Sequence, residues 1–245
     1  MTRKLGVILL SGGLDSTTAA TQAVHDGYDL VAVTVHYGQL HSTELDAAAA
    51  VAATLGIRQE VVDVSFFREL AWYSALTNPD RFAIPEGRGP EEMAADIPIT
   101  YVPMRNTFLL SLASAYLESH VLQVLEGDGA PSDSIEAALF IAANAIDYSG
   151  YPDCRPEFYE SLTETLRLGS KIGTQYGVPF VIQTPLLAMT KAEIVRHAVA
   201  IGAPLDRTWS CYEGGSSPCG SCDSCLLRAK GFAEAGVADP ALAVA

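Results

Sequence analysis

The first third of the chain alternates short apolar runs with longer amphipathic stretches, and glycine punctuates most of the switches. "KLGVILL", residues 4–10, is almost continuously apolar, as a strand buried on both faces requires. "STTAATQAVHDG" reads as the helix after it, ended by Gly27, and "DLVAVTVHY" as a second strand. "STELDAAAAVAATLG" predicts a helix with Ser42 as N-cap and Gly56 closing it, and "QEVVDVSF" a third strand. Strand, helix, strand, helix, strand at this spacing predicts a parallel, doubly wound sheet.

The pattern then loosens. Residues 68–100 are rich in Pro, Gly and acid without clear periodicity, so a long surface excursion is expected. "TFLLSLASAYLES" is apolar enough for a buried helix, whereas residues 121–136 read as an exposed, mobile insertion. "AALFIAAN" predicts a fourth strand, "CRPEFYESLTETLRLGSKIGTQYG" one long helix, and "PFVIQTP" a fifth strand. "TKAEIVRHAVAIG" carries a capping-box signature, Thr190 with Glu193 three residues on. The expected fold is therefore α/β, a Rossmann-like doubly wound five-stranded parallel sheet over residues 1–206, with a cysteine-bearing tail over 207–245.

Composition narrows the function classes. A chain of 245 residues, 49% hydrophobic and 18% charged, is an ordinary globular protein with ample core. No apolar run reaches the roughly 18 residues of a membrane span. "MTRKLGVILLSGG" ends its short apolar run in a glycine turn, so it reads as a first strand rather than a signal peptide, and a cytoplasmic location is expected. A net charge of −14 argues against broad binding to nucleic acid, which needs a basic footprint.

Three strings carry candidate chemistry. "SGGLDS", residues 11–16, sits between the first strand and the first helix. Glycines there let backbone N–H groups turn inward, the helix terminus adds partial positive charge, and Ser11 and Ser16 can donate to phosphate oxygens. A plain strand-to-helix turn has the same glycines; the complete string after a first βαβ strand favours the phosphate cradle. Cys211, Cys219, Cys222 and Cys225 form the second signal, and four thiolates complete a tetrahedral Zn²⁺ shell. Redox or iron–sulfur use is the alternative for such spacing. The third is "NAIDYSGYPDCRPEF", residues 144–158, at the end of the fourth strand, where open α/β sheets bind ligands. Turn chemistry alone explains it equally well.

"SGGLDS" matches neither the Walker A pattern nor the dinucleotide fingerprint. It resembles the PP-loop of ATP pyrophosphatases, which split ATP between the α and β phosphates to adenylate a substrate. The resemblance implies that Ser11, Gly12, Gly13, Leu14, Asp15 and Ser16 hold the pyrophosphate, and that Asp15 helps to place Mg²⁺. It also makes Lys191 a partner for the phosphates, where the plainer reading is a solvated lysine in a first helical turn.

Taken in order, "SGGLDS", "YGQLHSTEL", "VPMRN", "DYSGYPDCRPEF" and the four-cysteine tail resemble the 7-cyano-7-deazaguanine synthase family of queuosine and archaeosine biosynthesis, over nearly the whole chain. The resemblance implies conversion of 7-carboxy-7-deazaguanine and ammonia to a nitrile with ATP, by a homodimer holding structural Zn²⁺. Arg105 and Lys191 would then neutralise phosphate charge, and Tyr37, Gly38 and Gln39 would receive the adenosine. In the substrate pocket, Asn144 is a polar candidate, and Asp147 or Asp153 would meet the guanine edge. Tyr148 or Tyr151 would stack on the base, and Arg155 would meet the substrate carboxylate or a phosphate. His41 and Glu44 either act in that site or cap the next helix, and Cys154 is expected to be packing.

The chain departs from the family pattern at Met104, where "VPGRN" is usual, and at Ala143, before Asn144. Other readings keep parts of these signals: a PP-loop tRNA thiolation enzyme, a nucleotide-binding module without turnover, or a relative that stops at the amide or acylates another amine. No glutaminase motif supplies the ammonia.

Overall fold

The computed structural model describes residues 2–37, 43–85, 97–144, 151–213, 215 and 217–242. Strand β1 (Arg3–Leu9) delivers the chain into helix α1 (Leu14–His25), followed by β2 (Asp29–His36), α2 (Thr43–Leu55) and β3 (Arg58–Asp63). Gly27 and Gly56 have φ of +82° and +67°, the left-handed conformation that ends a helix most cheaply with glycine. The proposed Ser42 N-cap lies outside the described residues. After a single turn at Phe67–Leu70 the chain crosses to α3 (Arg105–Leu122), then β4 (Ile135–Phe140), α4 (Pro156–Gly169) and β5 (Phe180–Gln183). Helices α5 (Lys191–Ala200) and α6 (Asp223–Ala235) complete the chain.

All five strands are parallel, in the order β3-β2-β1-β4-β5. The chain leaves β1 for one edge and returns beside it as β4, so the order reverses at β1. Alternate side chains feed two cores. Leu5, Val7, Val33, Val35, Ala137 and Leu139 pack under α3 on one face. Ile8, Leu10, Ala32, Ala138 and Phe140 meet α1, α2, α5 and α6 on the other. This is why β1, β2 and β4 read as unbroken apolar runs: both of their faces are covered, whereas the edge strand β3 keeps Arg58, Val61 and Asp63 exposed.

Three sequence expectations change. Residues 121–127 are no exposed insertion; they finish α3 and a following π-helical turn, Gln123–Gly127. Val121, Val124 and Leu125 fall at helical spacing and are buried, which overrides the acidic and glycine residues beside them. The described parts of the excursion at 68–100 are anchored to the domain, because Ala71, Ser74, Ala75, Thr77 and Thr100 are buried even though Leu70, Trp72 and Tyr73 are exposed. The long helix after residue 154 breaks at Ser170, which takes an extended conformation and whose Oγ accepts the Gly173 N–H at 3.1 Å. Helix α3 with its π turn is also long and apolar enough, by length and composition, to cross a membrane. Leu110, Ala113, Leu117, Val121 and Val124 nevertheless seat it in the core.

Candidate active site

A cavity of about 330 Å³ opens at the carboxyl ends of the strands, beside the point where the strand order reverses. Open α/β sheets bind ligands at such a crevice because helix N-termini and loop N–H groups converge there. One end of this cavity is the loop between β1 and α1. Ser11, Gly13, Leu14, Asp15 and Ser16 line it, with the Ser11 and Ser16 hydroxyls 3.1 Å apart. The loop packs tightly behind itself: a Cβ on Gly12 would lie 2.5 Å from Ala48 N and 2.8 Å from the Glu44 carbonyl, and φ there is +79°. Only glycine allows the loop to lie on α2 in this way.

Lys191, first residue of α5, reaches across to this loop. Its Nζ donates to Asp15 Oδ2 at 2.7 Å, and both side chains are largely buried. The expected capping box is formed: Thr190 Oγ1 accepts the Glu193 N–H, and the Glu193 carboxylate accepts the Thr190 N–H at 2.8 Å. That box fixes the helix end from which Lys191 projects. The other carboxylate oxygen of Asp15, Oδ1, is buried and has no hydrogen-bond partner among the described residues. A buried, unpartnered carboxylate oxygen beside a phosphate-type loop suits a cation carried by a nucleotide.

The opposite end is built around Arg105, at the start of α3. Burial opposes its charge, but the neighbouring Tyr37, Tyr151 and Asp153 more than offset this and hold its pKa above the ordinary value. Tyr37 hydrogen-bonds Arg105 and has its phenol pushed up by burial, with the guanidinium opposing. Glu44 also lines the cavity, and burial raises its carboxyl to about 7 despite Arg105. Tyr151 presents a buried ring whose hydroxyl lies 3.0 Å from Thr100 Oγ1. Asn144 lines the floor and donates from Nδ2 to the Met189 carbonyl at 2.7 Å.

Two of the expected substrate residues stand back from the wall. Asp153 is buried beneath Arg105, where its Oδ2 accepts the Asn106 N–H at 3.3 Å; burial raises its carboxyl pKa and Arg105 opposes. Arg155, N-cap of α4, is exposed. Neither is among the residues that line the cavity. Cys154 does line it, but burial pushes its thiol up to about 11, which fits packing and not a nucleophile. Gly38, Gln39, His41, Asp147 and Tyr148 lie outside the described residues.

The C-terminal segment also contributes to the cavity, which the sequence did not signal. Trp209, Ser210, Tyr212 and Arg228 face it, and the Trp209 N–H donates to the Gly12 carbonyl at 2.9 Å. None of these residues sits in a string with phosphate or base chemistry, so only the packing of the tail reveals them. Beside them, the Sγ atoms of Cys211, Cys219, Cys222 and Cys225 all lie within 4.8 Å of one another. Main-chain N–H groups of Glu213 and Cys219 donate to Cys211 Sγ, and that of Cys222 donates to Cys219 Sγ. Four converging sulfurs that accept N–H donors have the composition of a tetrahedral thiolate metal site.

A parallel sheet whose first strand hands a glycine-bearing loop to a helix N-terminus, with a lysine and a carboxylate facing that loop, defines an α/β protein of the PP-loop type. Residues 5–236 match the family described as queuosine biosynthesis protein QueC, and the chain belongs to that family. A 7-cyano-7-deazaguanine synthase from Thermoplasma acidophilum is 46% identical over 240 residues, covering 98% of this chain and 92% of that protein. The synthase of Desulfatibacillum aliphaticivorans is 44% identical over 243 residues, covering 97% and 96%. That of Erythrobacter litoralis is 46% identical over 240 residues, covering 97% and 91%.

Proposed function

We propose that this chain is an ATP-dependent carbon–nitrogen ligase that converts 7-carboxy-7-deazaguanine and ammonia to 7-cyano-7-deazaguanine. The observation that carries this reading is one cavity holding both kinds of group the reaction needs. A phosphate-type loop with Lys191 and Asp15 stands at one end, and Arg105, Tyr37 and Tyr151 stand at the other.

A carboxylate resists attack by ammonia because its resonance must be broken and its leaving group is an oxide. Attack of its oxygen on the α-phosphorus of ATP expels pyrophosphate and makes an acyl adenylate, from which AMP leaves readily. Ammonia then gives the amide. A second activation, at the amide oxygen, removes that oxygen with AMP and leaves the nitrile. Most of the help the protein gives is positioning and neutralisation of charge on phosphate oxygens.

Within this scheme the backbone of Gly12, Gly13 and Leu14, with Ser11 and Ser16, holds the pyrophosphate. Lys191 neutralises the phosphates. Asp15 would hold Mg²⁺ through its unpartnered oxygen, and the bound ion would withdraw charge from the leaving pyrophosphate. Tyr37 receives the adenosine, together with Gly38 and Gln39. Arg105 meets the substrate carboxylate, a role we give to it because it lines the cavity while the exposed Arg155 does not. Tyr151 and Tyr148 supply ring faces for the base, and Asn144 a polar floor. Asp153 is engaged under Arg105, so we assign it to orienting the guanidinium and give the guanine edge to Asp147.

The four cysteines would hold a structural Zn²⁺. A closed thiolate shell has no open position for water, so this ion organises residues 207–245 on the domain formed by 1–206. We take the protein to be cytoplasmic and homodimeric, to use ammonia, and to bind no nucleic acid. The acidic charge of −14 supports the last point.

Mass spectrometry of products from 7-carboxy-7-deazaguanine, ATP, Mg²⁺ and ammonium tests the assignment. Nitrile is the expected product, with ATP converted to AMP and pyrophosphate. Amide alone would select a relative that stops one step earlier, and no turnover would overturn the ligase reading. Asp15→Ala is expected to lower turnover by about 10³-fold, the scale of losing a preorganised charge at a reacting phosphate. Wild-type turnover in that variant would remove the loop from the mechanism.

A further inference from the structure

Helix α6 crosses the root of Lys191, and the crossing point is Gly231. A Cβ placed on Gly231 would lie 2.4 Å from Lys191 Cγ, 3.1 Å from its Cβ and 3.3 Å from its carbonyl carbon. Those atoms belong to the stem and main chain of the lysine. Its mobile tip offers no easy escape, because the ammonium is committed to Asp15 Oδ2 at 2.7 Å. Gly231 is buried and sits in the interior of α6, where alanine is ordinarily the better helix former. A glycine there weakens the helix, and nothing about its backbone requires it, since its φ is not positive. The close approach is what requires it.

We infer that Gly231 is a positioning residue for Lys191: the bare backbone of α6 forms one side of the channel that aims the lysine at Asp15 and the phosphate loop. This rests on the proposal that the loop binds the phosphates of ATP. The placement of α6 is in turn set by the cysteine cluster, because Cys222 is its N-cap and Cys225 lies in its first turn. The tail therefore touches both halves of the phosphate site, the loop through the Trp209 N–H on the Gly12 carbonyl and the lysine through Gly231. A metal held by the four cysteines, with no chemistry of its own, would thus bear on the geometry of Lys191 through α6.

The test is a double-mutant cycle of Gly231→Ala and Lys191→Ala in the full chain with its metal bound. In the wild-type background, Gly231→Ala is expected to lower Tm by about 4 °C, the scale of a single steric conflict in a domain of this size. In the Lys191→Ala background the same change should lower Tm clearly less, because the closest conflict, with Cγ, is gone and only the milder ones with Cβ and the carbonyl carbon remain. Metal content should stay at the wild-type level throughout. ATP affinity, measured by calorimetry, should fall about tenfold in Gly231→Ala, as expected for a lost charge-assisted contact. It should fall no further when Gly231→Ala is added to Lys191→Ala.

Equal changes in Tm in the two backgrounds would overturn the inference, since a purely helical role for Gly231 does not depend on residue 191. If Gly231→Ala does not fold, a folded double variant supports the inference and an unfolded one overturns it. The Tm cycle involves no substrate, so its result stands apart from the ligase reading. Absence of ATP binding by the wild-type protein would sink that reading and leave the cycle intact.

Discussion

The two walls that meet at the phosphate end of the cavity are built by opposite means. On one side, β1, residues 11–16 and α1 form a continuous stretch whose shape comes from main chain. The strand is locked between β2 and β4, Gly12 lies against α2, and Thr17 N–H closes the first turn on the Gly13 carbonyl at 3.0 Å. On the other side, the described residues of 207–242 form no strand in the sheet and are held mainly by side chains. Four thiols converge, Arg228 bridges to Asp239, and Phe232 reaches the core. The first wall is held by many main-chain contacts spread along the sheet and α2. The second depends on a few strong links, and each can be cut separately.

The largest effect is expected from the cysteine link. Cys222→Ser, or a chelator that removes the metal proposed at the four cysteines, should release α6 and its hold on Lys191. Small metal domains draw about 10 kcal/mol or more from such a site, and a tail already packed on a folded sheet should lose a smaller but still large part of that. The expected readout is rapid proteolysis within 207–242 together with a far-UV circular dichroism spectrum that keeps most of its α/β signal. A tail that resists protease after complete metal loss would break the contrast between the walls, because packing alone would then suffice.

The next link is a buried ion pair. Arg228 donates from Nε and Nη2 to both oxygens of Asp239, at 2.6 and 2.8 Å, and from Nη1 to Thr208 and Ser210. The two side chains are only 10% and 5% exposed, so Arg228→Ala strands a carboxylate out of water. A loss of about 3–5 kcal/mol in urea unfolding is expected. Replacing both partners together should cost much less, since no charge is then left unpaired. Equal losses for the single and double variants would show that the pair is not the link.

The same division explains what could be read without a structure. β1, β2 and β4 are legible because burial on both faces leaves an apolar run, and the loop at 11–16 is legible because main-chain chemistry needs contiguous glycines and hydroxyls. The cysteines were legible because ligands are a rare residue type closely spaced. Arg228 was not: in a helical string it looks like any solvated cation, and Asp239 is too distant to suggest a partner. Glu44 reads equally well as a helix-capping residue; its proximity to Arg105 arises because α2 and α3, on opposite faces of the sheet, both start at the cavity, which no local pattern encodes. Gly231 gave no signal because its reason lies on another helix. Residues 121–127 look exposed in sequence because glycine and acid stand beside the three apolar positions at helical spacing.

Glu44 gives a pH-dependent test at the inner end of the cavity. Its carboxyl rises from an ordinary value of 4.5 to about 7 in the fold, mainly through burial. Below about 4.5 both folded and unfolded chains carry the proton, and the protonated residue is fully compatible with the fold. As pH rises, the unfolded chain releases its proton first, so the contribution is lost progressively until about pH 7 and is flat above it. The whole span is about 3 kcal/mol. Glu44→Gln should remove this slope from unfolding free energies measured between those limits. An unchanged slope would place the carboxylate in water and off the cavity wall.

The smallest effect probes main chain directly. Met104 precedes Arg105 with φ of 59° and ψ of 14°, and it is the only non-glycine residue with positive φ among the described residues. Its side chain, 60% exposed, has little packing to lose. The turn is imposed from both sides, since Arg105 N–H donates to the Val102 carbonyl and Phe108 N–H to that of Met104. A left-handed residue with a Cβ costs about 1 kcal/mol, which is the physical reason for the glycine usual in "VPGRN". Met104→Gly should therefore raise Tm by about 2–4 °C, offset in part by the added freedom of the unfolded chain. Met104→Ala keeps the Cβ and should gain nothing, so the difference between the two variants isolates the backbone. If they melt together, the strain at residue 104 is absent, and Arg105 is held by its buried partners rather than by the turn that precedes it.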